Sequence, residues 1–163
     1  MLRRGVRSGA VGLFAIVTAC SSSATTSTPT TSTAPRPARC ATPTPFGKNG
    51  AAPHEVHGKS AHGSVWGLAL GPGHIPPDAG DELKIVWRMT GQGPLRVALT
   101  GPDGKRHSLV FGPEPHRRAS TYHRPGDEWG TGFRFATKGC WHIHLARRTT
   151  AGDMWIDVHR SLE

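Results

Sequence analysis

The chain of 163 residues is notable first for what it lacks. No stretch of 18 consecutive apolar residues occurs, which excludes a multi-span membrane protein. Charged residues make up only 19% and aromatic residues only 7%, with a single tyrosine. No basic cluster interleaved with aromatics stands out, so nucleic acid is not expected as a partner. The formal charge of +9 does not alter this. Five of the 20 basic residues (Arg3, Arg4, Arg7, Arg36 and Arg39) precede residue 40, where there is no acidic residue, leaving 15 against 11, a balance of +4. That is an ordinary solvated surface. A serine nucleophile elbow, a phosphate-binding glycine loop and a defensible catalytic acid pair are all missing, so neither enzymatic activity nor a cofactor is expected. Asp127 and Glu128 are adjacent and, in extended backbone, point to opposite sides. Cysteine is scarce, at three. Glycine and proline are not: 21 and 14 residues argue for many turns and against long helices.

The N-terminus reads as an address. Arg3, Arg4 and Arg7 form a positive n-region ahead of a short apolar segment, Val11 to Ala19, too short for a stable span. Its end, Val17-Thr18-Ala19-Cys20, resembles the lipobox of bacterial lipoproteins. The resemblance implies a signal peptide over residues 1–19 and a lipid on the Cys20 sulfur, anchoring the protein to the extracytoplasmic face of the cell membrane. Residues 21–38 are Ser or Thr at 11 of 18 positions, with three prolines. Such a segment has too little to bury to offset the entropy of folding, so residues 20–39 are expected to be a disordered tether. With Cys20 carrying lipid, Cys40 and Cys140 remain in an oxidising compartment, where a pair is expected to bridge. Two free buried thiols are the alternative.

After residue 64 the dominant period is two. Trp66, Leu68 and Leu70 alternate with Val65, Gly67 and Ala69. Leu83, Ile85, Trp87 and Met89 alternate with Lys84, Val86 and Arg88. Leu95, Val97 and Leu99 follow, then the turn Gly101-Pro102-Asp103-Gly104 with His107–Phe111 as a hairpin partner. Phe133 and Phe135 flank Arg134; Trp141, Ile143 and Leu145 alternate with His142 and His144; Met154, Ile156 and Val158 close the series. About seven short strands without a helix-period segment predict an all-β, immunoglobulin-like antiparallel two-sheet sandwich over residues 40–163. The segments IVWRMTGQGPLRV, GPDGKRHSLVFGPEPH, HRPGDEWGTGF and GCWHIHLAR resemble a family of small lipoproteins of high-GC Gram-positive bacteria. That likeness implies a lipobox, a Ser/Thr/Pro tether and one β-rich domain ending in a Gly-Cys-Trp strand. It carries no catalytic residue.

Two constellations could carry function. Segment 112–132 gathers His116, Arg117, Arg118, Tyr122, His123, Arg124 and Trp129 between glycine and proline punctuation, the composition of a recognition surface. It is expected to be a long loop contacting a cell-envelope polymer or protein, or a structural loop in which Arg124 pairs with Asp127 or Glu128 and Trp129 plugs the sandwich edge. Nine of the ten histidines lie between His54 and His144. Alternation puts His142 and His144 on one strand face, as two metal ligands would require, yet no third ligand is nominated. His54, His57 and His62 could add more. His54-Glu55-Val56-His57 is one residue short of the zinc-protease helix motif. A copper site from Cys140, His142, His144 and Met154 conflicts with the expected bridge. If Cys140 shares the histidines' face, residues 40–50 should cover them and could bring His54 or His57 close, and the cluster is expected to be covered but metal-free. The expected function is a membrane-anchored, non-catalytic binding module, with a Zn- or Cu-binding lipoprotein as the alternative.

Overall fold

The computed structural model describes residues 39–49, 52–71 and 74–159. The expected signal peptide, Cys20 and nearly all of the expected tether lie outside the described residues. Eleven strands are present among those described: β1 (Phe46–Asn49), β2 (Ala52–His57), β3 (Lys59–Ser60), β4 (Val65–Leu70), β5 (Glu82–Met89), β6 (Arg96–Thr100), β7 (Arg106–His107), β8 (Phe111–His116), β9 (Asp127–Arg134), β10 (Gly139–Ala146) and β11 (Ala151–Val158). They form two sheets, β1-β2-β4-β5-β9-β8 and β3-β11-β10-β6-β7. Every pairing between named strands is antiparallel. Strands β4, β5, β9 and β8 stand in the order A-B-E-D of an immunoglobulin-type sandwich, and β11, β10, β6 and β7 in the order G-F-C-C′.

The number of strands exceeds the seven expected. The additional ones are β1, β2, β3 and β8; β1, β3 and β8 are sheet edges, and β8 reads FGPEPH, without alternation. Proline is tolerated there because an edge strand has N–H positions with no ladder partner. Segment 112–132 is therefore not one long loop: strands occupy both its ends, and only 117–126 is irregular. The hairpin expected after Gly101–Gly104 is shorter than anticipated. Only Arg106 and His107 pair with β6, and Phe111 crosses to the other sheet.

Inward-facing residues of both sheets merge into one core. Trp87, Phe133, Phe135 and Trp141 run through it as a chain of rings, with successive centroids 6.0, 6.1 and 5.4 Å apart. Two of these three contacts are edge-on, the arrangement that the ring quadrupoles favour. Trp141 keeps its indole N–H satisfied by donating to the Thr137 carbonyl at 2.8 Å. In β4 the inward set is Val65, Gly67 and Ala69, and the larger Trp66, Leu68 and Leu70 lie outward. The reason is space. A Cβ on Gly67 would stand 2.7 Å from the Trp87 ring, so the core accepts only hydrogen at that site.

Cys40 and Cys140 are bridged. The cystine sits on the outer face of β10, and the segment beyond Cys40 runs along the free edge of β11. There Thr44 N–H donates to the Trp155 carbonyl (2.8 Å), and Trp155 N–H donates to Thr44 Oγ1 (3.0 Å). With β3 further along, this segment covers an edge that would otherwise offer unpaired backbone groups.

Candidate functional site

His142 and His144 project from the outer face of β10, because Trp141, Ile143 and Leu145 turn inward. β11 places Asp153 in register with His144 and Trp155 in register with His142. One carboxylate oxygen then serves both imidazoles: Asp153 Oδ1 lies 2.7 Å from His142 Nε2 and 2.8 Å from His144 Nδ1. The side chains of His142, His144 and Asp153 are 34%, 43% and 34% exposed, so water reaches all three. Trp155 stacks on the His142 ring at 4.9 Å and 13° and limits its rotation. Burial works to raise the Asp153 carboxyl, but the hydrogen bonds to His144 and His142 outweigh it and hold the group below its usual range.

This geometry corrects two expectations. The third member of the cluster is Asp153, which alternates outward on β11 and becomes a partner only through the β10–β11 register. His54 and His57 do not join; His57 stacks on Trp66 of β4 at 4.0 Å, on the other sheet. Residues 40–45 follow the edge of β11 and leave the imidazoles half open. A copper site of the kind considered is ruled out, since Cys140 is in a disulfide and Met154 is buried in the core.

The residues of segment 112–132 separate into three fates. Trp129 is buried in the core beneath the Arg147 guanidinium, 4.5 Å from the ring centroid. Arg147 also binds the Met89 and Gly93 carbonyls (both 2.8 Å) and Asp127 Oδ2 (2.6 Å), so it fastens that end of the sandwich. His116 Nδ1 lies 2.7 Å from Glu128 Oε1. Arg124 pairs with neither Asp127 nor Glu128. It reaches across the sheet to Glu55, donating from Nε and Nη2 to the two carboxylate oxygens at 2.7 and 2.6 Å, and its guanidinium lies over Trp66 at 4.6 Å.

Glu55 is the residue that sequence reasoning passed over. It sits in a strand and not in a helix, only 3% exposed, and the Arg124 fork holds its carboxyl below the usual range against the opposing effect of burial. Tyr122 packs beside this pair; burial and the Glu55 carboxylate push its phenol well above the usual value. Arg117, Arg118 and His123 remain exposed. A cavity of about 600 Å³ opens beside the start of this segment, and His116, Arg117 and Trp129 line it together with Leu95, Glu128 and Arg147. A larger groove of about 900 Å³ follows Arg39–Pro45, past the cystine and Trp155.

In comparisons with known proteins, the chain matches no family model, no curated protein and no solved structure.

Proposed function

We propose that the protein is a non-catalytic binding module, held at the extracytoplasmic face of the cell membrane by lipid on Cys20, and that it engages a cell-envelope polymer or protein. The observation that carries this reading is the cavity of about 600 Å³ where His116, Arg117 and Trp129 meet Arg147. Its walls are built on β8, β9 and the fastened Arg147. Its rim keeps Arg117 exposed, with Arg118 next in the chain, as cationic groups free for a partner. The Cys40–Cys140 bridge accords with an oxidising compartment.

The test has two arms. Cys20→Ser should move the protein out of the detergent phase and abolish labelling by fatty acid; continued labelling would refute the anchor. Sedimentation with isolated envelope fractions should carry the non-lipidated Cys20→Ser protein down and leave Cys20→Ser/Arg117→Glu/Arg118→Glu in the supernatant. Equal sedimentation of the two would refute the contact surface.

A further inference from the structure

We propose that His142, His144 and Asp153 form a site for a single divalent transition-metal ion of the Zn(II), Ni(II) or Cu(II) class. The inference is independent of the envelope-binding reading and rests on a different face. Two imidazole nitrogens and one carboxylate oxygen lie within 4.8 Å of one another, on two neighbouring strands of one sheet. Mixed nitrogen and oxygen donors of this kind suit borderline ions and disfavour Ca(II) and Mg(II), which take oxygen ligands.

The two N···O spacings are close to those an ion would set. Metal–ligand distances of about 2.0–2.2 Å separate neighbouring donors in a tetrahedron by about 3.4 Å. The two N···O distances are 2.7 and 2.8 Å, those of hydrogen bonds, so a shift of about 0.6 Å by the Asp153 carboxylate would make room. The imidazoles are already placed: β10 is paired on both sides, by β6 and β11, and Trp155 stacks on His142. A preformed pair of histidines lowers the ordering cost of binding. Half exposure supplies an entry path, and with three protein ligands the remaining coordination is left to water or to an exogenous group. The site is therefore exchangeable, and its affinity is set by three ligands and not four.

A second His/Asp group, His74, Asp78 and Asp81, serves as contrast. Its Asp81 carboxylate already accepts from the Asp78 N–H at 3.0 Å, and it closes the turn that leads into β5.

Titration of the purified full-length chain with zinc sulfate, followed by calorimetry, should show one equivalent bound. Affinity should fall at least about tenfold in His142→Ala, His144→Ala and Asp153→Asn, and stay unchanged in His74→Ala. Cobalt chloride should give the visible absorption of a nitrogen- and oxygen-ligated ion with the wild-type chain and lose it with His142→Ala/His144→Ala. The substituted side chains lie on the outer face, and near-UV circular dichroism verifies that the variants keep their core. Absence of binding by the wild-type chain, or binding that survives in the double histidine variant, would overturn the assignment.

Discussion

Removing the Cys40–Cys140 bridge, as Cys40→Ala/Cys140→Ala, tests how the domain is held together. The bridge links residues 100 apart in sequence. The loop-entropy model gives about 4.7 kcal/mol as a ceiling for such a closure, and losses of about 2–5 kcal/mol are usual in small secreted domains. The folded side of the balance changes little. Cys140 sits half-buried on the outer face of β10, and the Thr44–Trp155 hydrogen bonds hold the N-terminal segment to β11 without the cystine. The effect should therefore reside in the unfolded chain, which gains the freedom that the bridge denied it. A domain of about 120 residues has an unfolding entropy near 0.25 kcal/mol/K, so a loss of about 3 kcal/mol lowers Tm by about 12 °C. Urea unfolding should show a lower midpoint together with a steeper dependence on denaturant, because the unlinked chain exposes more surface when it unfolds. A loss below about 1 kcal/mol at unchanged slope would refute this account.

Three further outcomes follow from the packing. Glu55, whose carboxyl lies below its ordinary range through Arg124, contributes stability that is fully present above the ordinary glutamate pKa and disappears as pH falls through the lowered value. Tm against pH should thus fall more steeply on the acid side for the wild type than for Glu55→Gln, and parallel curves would disprove the linkage. The single tyrosine, Tyr122, should resist ionisation well beyond its ordinary value of 10.0 in an alkaline absorbance titration; ionisation at the ordinary value would mean that segment 117–126 does not pack on Glu55. Gly126 has φ of 96°, and a Cβ there would meet the Met89 carbonyl carbon at 2.2 Å, so Gly126→Ala should cost upwards of about 1–3 kcal/mol by chemical denaturation. A neutral result would show that the turn before β9 can relax.

The alternating runs 82–90, 141–145 and 154–158 were legible because burial on one sheet face imposes a period of two, and that period is a local property of the chain. The bridge was legible too, since an N-terminus that reads as an export signal leads one to expect an oxidising compartment, where two remaining cysteines have few choices. β4 was not. Its large residues lie outward because Trp87, twenty residues away, fills the space above Gly67, and no local pattern records which residue claims a shared volume. Segment 112–132 was misjudged for a related reason: prolines and glycines announce turns, yet edge strands tolerate them.

The candidate sites divide in the same way. His142 and His144 share a face by alternation alone, whereas Asp153 reaches them only through the β10–β11 register. The fork between Arg124 and Glu55 spans 69 positions and exists because the chain returns over the sheet. Sequence by itself determined the all-β class, the faces of the regular strands and the identity of the bridging cysteines, since these depend on local period and covalent chemistry. Which polar groups meet was decided only by tertiary structure. A hydrogen bond needs its atoms within about 3 Å, and only the folded register brings distant residues that close.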